Sequence, residues 1–305
     1  MKAVRYLGPG HIEIADVARP VPGDNEVLVE LRAASICNQT DVRVYNGTQT
    51  TYPLFPGAPG REGAGVVADV GANVKGFKPG DPVAMIGSRL YAEYSVRKPE
   101  DLAPLTASTD LVEAAPLGLA GAVVAALAKV EPVRDRSVVV TGLGAAGLLT
   151  VQVARQFGAR KIIGLDVRPA HFELAQTLGA SVAALVNDRE IINSCREKPA
   201  DLGIDCSGAA QAVSLLWTMC STVVAFGVLS ESVRIEVPRS RPVKLVNAFL
   251  TDGERREGFA SAVKLFLRKK IATRPLITHT MRLEDYALAM QKVRRSEVIR
   301  LVLTR

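Results

Sequence analysis

Two groups of residues in this chain of 305 could do chemistry. The first is Gly142-Leu143-Gly144-Ala145-Ala146-Gly147, set directly after the apolar run Ser137 to Thr141 and directly before a helical pattern, Leu148 to Phe157. In that setting Gly142 permits a tight turn, Gly144 lets backbone N–H groups approach a pyrophosphate, and Gly147 lets helix and strand pack closely. The positive end of the helix dipole then faces the phosphates. Asp166 ends the next apolar strand, Lys161 to Leu165, where a carboxylate can accept both hydroxyls of an adenosine ribose. That acid favours NAD over NADP. Arg168 follows closely and could pair with a 2′-phosphate, although Asp166 would repel that phosphate at the same edge. The alternative is that the glycines only tighten a βαβ turn, but strand, glycines, helix and acid stand together in register.

The second group is Cys37, Thr40, Asp41, Tyr45, Arg61 and Glu62: a thiol, two hydroxyls, two carboxyls and a guanidinium. A guanidinium carries five N–H donors and no lone pair, so Arg61 can hold a developing oxyanion but cannot ligate a cation. Cys37, Cys195, Cys206 and Cys220 form no CxxC pair, and none of the three histidines, His11, His171 and His279, neighbours a cysteine. A closed structural zinc site is therefore excluded, and all four cysteines are expected as free thiols.

The elements that must position these groups change character along the chain. Up to about residue 110 short alternating runs such as Val27 to Leu31, Gly65 to Val70 and Tyr91 to Val96 are broken by Pro22-Gly23-Asp24 and Lys78-Pro79-Gly80-Asp81, which predicts a β-barrel-like domain. From Ser137 apolar strands alternate with helical patterns, which predicts a doubly wound parallel sheet covered by helices. Its later members are a strand at Leu202 to Asp205, a helix at Ala209 to Met219 and a strand at Thr222 to Phe226. The ending predicts a helix near Glu254 to Lys270, a strand near Leu276 to Met281, a helix at Leu283 to Val293 and a strand at Ile299 to Leu303.

With 48% hydrophobic and 23% charged residues, the chain is expected to fold rather than stay disordered. The net charge of +7 sits in the C-terminal segment, where residues 254–305 hold 13 Lys and Arg against 5 Asp and Glu. Those charges surround amphipathic periods such as Phe259, Val263, Phe266 and Leu267 without interleaved aromatics, so no nucleic-acid partner is expected. The apolar stretch Ala114 to Ala128 is interrupted by Pro116, Gly118 and Gly121 and is read as too short to span a bilayer. No membrane partner is expected, and the cytoplasm is the default compartment.

The chain resembles the medium-chain dehydrogenase/reductase superfamily, nearest its zinc alcohol and polyol dehydrogenases. The resemblance rests on Ser35-Ile36-Cys37-Asn38-Gln39-Thr40-Asp41, Phe55-Pro56-Gly57 with Gly60 to Val67, Val74 to Val83, Ala92-Glu93-Tyr94, the glycine fingerprint, and the ending from Leu276. It implies a GroES-like catalytic domain over 1–113, completed by 272–305, and a Rossmann dinucleotide-binding domain over 114–271. It also implies cofactor contacts at Ser207-Gly208 and at Phe226-Gly227-Val228. Asn247-Ala248-Phe249 either line the same cleft or pack as an edge strand. Pairing through edge strands is common in the family, so a homodimer is an expectation.

Departures from the family's pattern decide the expected chemistry. The family's zinc ligands are a Cys, a His from Gly-His-Glu and a third Cys, Asp or Glu. Here Cys37 remains, the His position is Arg61, and Ala115 stands where polyol dehydrogenases carry a Glu. The family's cysteine-rich zinc lobe is absent, because Ile86 to Leu90 runs straight into Tyr91. No bound metal is therefore expected, unless Glu62 with Cys37 and a nearby acid rebuilds a weak site. Arg61 either donates hydrogen bonds to the substrate oxygen in place of the metal or fills the site as an ion pair with Glu62 or Asp41. Thr40 is implied as a proton relay, one residue later than usual, and Tyr45 as another proton carrier or as barrel packing. Cys37 without metal is expected as a small buried thiol rather than a nucleophile.

The expected function is zinc-independent, NAD(H)-dependent interconversion of an alcohol and a ketone on a small polar, sugar- or cyclitol-like substrate. The alternatives are an NAD(P)H-dependent enone or enoyl reductase and a noncatalytic dinucleotide-binding subunit.

Overall fold

Alternating apolar residues give the first hundred residues strands with one buried side, and glycine-bearing turns return each strand against the last. The computed structural model describes residues 1–48, 50–130, 132–227, 229, 232–233 and 242–305. The N-terminal strands are β1 (Lys2–Gly8), β2 (His11–Asp16), β3 (Val27–Ser35), β4 (Glu62–Val70), β5 (Pro82–Ile86), β6 (Tyr94–Arg97) and β7 (Leu102–Pro104). The dinucleotide-type sheet holds β8 (Ser137–Thr141), β9 (Lys161–Asp166), β10 (Val182–Leu185), β11 (Ala200–Asp205), β12 (Cys220–Ala225) and β13 (Lys244–Asn247). The chain closes with β14 (Ile277–Arg282) and β15 (Arg300–Thr304).

The described residues divide into two compact units: Met1–Leu119 with Ala262–Leu267 and Ala272–Arg305, and Ala120–Ser261 with Arg268–Ile271. In the first, one sheet runs in the order β14-β15-β3-β4-β5-β7, with β6 on β3, and β1-β2 form a separate hairpin. Its core gathers Tyr6, Val29, Ile36, Met85, Tyr91, Tyr286 and Leu301, and burying each large apolar side chain stabilises the fold by about 1.5–3 kcal/mol. Residues 114–119 pack here too, with Ala115 against Ala33 and Val302. In the second unit the order β10-β9-β8-β11-β12-β13 is parallel throughout, with β8 paired to β9 on one side and β11 on the other. Strand order therefore reverses between β8 and β11, the place where sheets of this kind bind ligands at their carboxyl ends.

Several expected boundaries shift, each for a local reason. The strand expected from Tyr91 begins at Tyr94, because residues 91–93 bond elsewhere: the Tyr91 carbonyl accepts the Val4 N–H, and Ala92 bridges Ala3. The helix expected from Leu148 begins at Ala145, with Gly144 as its N-cap. Pro275 turns Arg274–Leu276 into a single 3-10 turn, so β14 starts at Ile277. The apolar stretch also runs longer than expected, since helix forms on both sides of Pro116. From Leu111 to Ala128 it has 18 residues and a mean hydropathy of 1.9, and 61% of it is buried inside the fold, as in the core helix of a globular protein.

Candidate active site

The glycine fingerprint is built as its residue types require. Gly142 has φ +83°, and its N–H donates to the Leu165 carbonyl, which reverses the chain at the end of β8. A Cβ on Gly147 would lie 1.9 Å from the Gly142 oxygen, whereas a Cβ on Gly144 would meet nothing within 4 Å. The first glycine of that pair closes the helix onto the turn; the second leaves open space over the helix N-terminus. Leu143 and Ala145 are buried beneath this loop, and Ala146 takes the Thr150 hydroxyl on its carbonyl.

Asp166 ends β9 with its carboxylate turned to the same loop. One oxygen accepts the Leu143 N–H at 2.7 Å and the other the Arg168 N–H at 3.0 Å. Arg168 itself is exposed. The open cradle at Gly144 and this half-exposed acceptor fit a dinucleotide, with the 142–147 backbone for its phosphates and Asp166 for its ribose hydroxyls. On the far side of the switch point, Ser207 and Gly208 have their N–H groups turned inward to the Asp205 carboxylate at 3.0 Å each. Gly227 packs against them so closely that a Cβ would come 2.2 Å from the Gly208 nitrogen. Val228 lies outside the described residues.

Of the second group, Thr40 and Asp41 gather at Cys37 in the first unit, whereas Tyr45 does not. The thiol, expected buried, is half-exposed because it lies at the start of the short helix Thr40–Tyr45, where it accepts the Thr40 N–H at 3.4 Å, with the Arg300 charge acting on the same place. The Cys37 N–H donates to Asp41 at 2.9 Å, and the Tyr91 hydroxyl donates to the same carboxylate oxygen. Burial pushes the Asp41 carboxyl above its ordinary value, while the Tyr91 and Cys37 hydrogen bonds and the Arg300 and Arg61 charges pull it down. Asn38 turns its amide to the Val298 and Ile299 carbonyls.

Glu62 is buried, 4% exposed, and fully engaged. One carboxylate oxygen pairs with the Arg300 guanidinium and the other accepts the Leu119 N–H at 2.6 Å. Burial also lowers the Arg300 guanidinium from its ordinary value, with Cys37 and Asp41 acting the other way. Arg61 is exposed, its carbonyl accepts the Gly87 N–H, and no carboxylate among the described residues stands within ion-pair distance of its guanidinium. Its charge acts on the buried Asp41 carboxyl and lowers it, without an ion pair at hydrogen-bonding distance to Asp41 or Glu62. Tyr45 packs partly buried against the barrel core, with the Arg294 guanidinium 4.5 Å over its ring.

The sequence reading missed Arg300, Tyr91 and Asp205. Arg300 carried a signal: a charged residue between Val298-Ile299 and Leu301-Val302-Leu303 sits in an otherwise apolar strand and needs a buried acid. Asp205 carried one as well, at the end of a predicted strand and directly before Ser207-Gly208. Nothing in the local sequence marks Tyr91.

Two family models match the chain: the alcohol dehydrogenase GroES-like domain over residues 23–134 and the zinc-binding dehydrogenase over residues 145–266. The chain belongs to the medium-chain dehydrogenase/reductase superfamily. A quinone oxidoreductase of Sus scrofa is 31% identical over 216 residues, covering 67% of this chain and 64% of that protein. An L-threonine 3-dehydrogenase of Shewanella baltica is 28% identical and covers 94% of both chains. Galactitol-1-phosphate dehydrogenase from Escherichia coli superposes with a TM-score of 0.87 over 100% of both chains at 21% identity, a likeness of fold.

The zinc that the second family model's name implies does not fit these residues. The Cys37 thiol is flanked by a guanidinium, Glu62 is neutralised by Arg300, and Ala115 is a buried methyl against Ala33 and Val302. No group of three His, Cys, Asp or Glu side chains that could hold a metal occurs among the described residues.

Proposed function

We propose that the chain is a zinc-independent, NAD(H)-dependent oxidoreductase that interconverts an alcohol and a ketone on a small polar substrate. The observation that carries this reading is the exposed Arg61 guanidinium, whose charge acts on Asp41 next to Cys37, with the neighbouring Glu62 already neutralised by Arg300. When bound, a nicotinamide dinucleotide supplies the hydride acceptor or donor, and the 142–147 loop and Asp166 hold it. Arg61 donates hydrogen bonds to the substrate oxygen as negative charge develops there, a fixed charge in the role a Lewis acid plays in the zinc enzymes. Thr40, whose N–H donates to Cys37, passes the alcohol proton outward through its hydroxyl in this reading. The threonine and galactitol phosphate dehydrogenases among the similar proteins support a polyhydroxylated or amino-alcohol substrate class.

A second reading, reduction of a double bond conjugated to a carbonyl, draws support from the quinone oxidoreductase similarity. Asp166 speaks against the NADPH preference common in that chemistry. The deciding experiment measures metal content of protein purified without chelator or added zinc, together with NADH and NADPH turnover on panels of ketones and enones. Near-zero zinc with ketone reduction, reduced about a hundredfold or more by Arg61→Ala, is the expected result. One zinc per chain returns an ordinary metal mechanism, enone turnover with NADPH selects the second reading, and binding without turnover leaves a noncatalytic subunit.

A further inference from the structure

Asp205, at the carboxyl end of β11, gathers more polar groups than any role in strand pairing requires. Its side chain is fully buried, 0% exposed. One carboxylate oxygen accepts the Thr141 hydroxyl at 3.1 Å, the Ser207 N–H at 3.0 Å and the Ser207 hydroxyl at 2.6 Å, and the other accepts the Gly208 N–H at 3.0 Å. Its main-chain carbonyl accepts the N–H groups of Phe226 and Gly227 at 3.0 and 2.7 Å. One residue therefore ties the end of β8, the loop after β11 and the loop after β12. The three meet at van der Waals limits, because a Cβ on Gly142 would lie 2.8 Å from the Ser207 nitrogen and one on Gly227 would lie 3.0 Å from the Asp205 carboxylate.

The strand order says which half of a dinucleotide meets this assembly. Asp166 stands on the β9 side of the fingerprint strand and takes the adenosine ribose, so the other half extends across the switch point toward β11 and β12. We propose that Asp205 is a positioning residue for the nicotinamide half of the cofactor. It fixes the wall formed by residues 207–208 and 226–227 before ligand arrives. Because it draws the Ser207 and Gly208 N–H groups inward, that wall offers no anion-binding backbone donors of its own from these two residues, and phosphate recognition stays with the fingerprint loop. The inference rests on the dinucleotide reading above.

The test compares two probes on the full chain by fluorescence or calorimetric titration: NADH, and ADP, which carries the adenosine and phosphates without the nicotinamide half. Asp205→Asn keeps the shape but sets an NH₂ group against inward-pointing donors. The expected result is NADH binding weakened about tenfold or more with ADP within about twofold. Ser207→Ala, which removes a single arm of the assembly and leaves the fold intact, is expected to weaken NADH about two- to threefold with ADP unchanged, and it decides the matter if Asp205→Asn does not fold. Equal loss of both probes, or no loss of either, overturns the positioning role while the dinucleotide reading stands. Wild-type protein that binds neither probe overturns both.

Discussion

Carboxylates are held in two different ways in the two units. At the fingerprint, Asp166 and Asp205 are satisfied by N–H and hydroxyl donors from residues on the same loop or the adjoining strand. Around Cys37, one Glu62 oxygen meets a guanidinium 238 positions away and one Asp41 oxygen a tyrosine 50 positions away, while the other Asp41 oxygen is buried without a hydrogen-bond partner. Backbone donors leave the first pair of acids poised around an open cradle. A buried ion pair instead neutralises Glu62, while Arg61 stays exposed and in no ion pair among the described residues.

Breaking the ion pair gives the largest effect expected. Arg300→Met leaves Glu62 buried and uncompensated and should lower unfolding free energy by about 3–5 kcal/mol in denaturant titrations, whereas Glu62→Met with Arg300→Met should recover most of it. A double variant as unstable as the single one would mean that Arg300 acts through packing rather than charge.

The fingerprint responds to shape in place of charge. Gly147→Val must push a side chain into the Gly142 oxygen and should destabilise by about 1–3 kcal/mol while abolishing NADH binding. Gly144→Ala meets open space and should hold its melting temperature while still weakening NADH, since its methyl enters the cradle. Equal stability losses in both would erase the distinction drawn between these glycines.

A pH experiment sharpens the Cys37 side. Burial raises the Asp41 carboxyl, so the folded protein holds that proton to higher pH than the unfolded chain, whose value is about 4. The resulting stability is complete below the unfolded value and is lost as pH rises through the folded one. Asp41→Asn cannot titrate and should flatten the stability curve across that interval; an unchanged slope would place the proton elsewhere. The smallest stability effect belongs to Arg61→Ala, within about 0.5 kcal/mol by thermal or denaturant unfolding, because its guanidinium is exposed and in no ion pair among the described residues. A large loss there would turn Arg61 into a structural residue.

The geometry of the glycine loop was readable because its determinants are local. Gly142, Gly144, Gly147 and Asp166 lie on consecutive elements of one βαβ unit, so spacing alone predicts which backbone faces which acid. The same locality let β8, β9 and β11 be placed within a residue or two. Tyr91 to Glu93 escaped because their partners are in β1, distant in sequence. The fate of Glu62 escaped for the same reason: its chemistry depends on Arg300, which reaches it only when β15 joins β3 in the sheet.

By itself the sequence determined the two-part architecture and the glycine loop between strand and helix, since each follows from residue type and short-range spacing, while the resemblance to the family marked Arg61 as standing at a histidine position. Tertiary structure alone decided that Glu62 is neutralised by Arg300, that Arg61 stays exposed and in no ion pair among the described residues, and that Asp205 bonds to both sides of the switch point. Those outcomes turn on which charges and donors meet in a dry interior, and a buried group takes whichever partner the strand order brings to it.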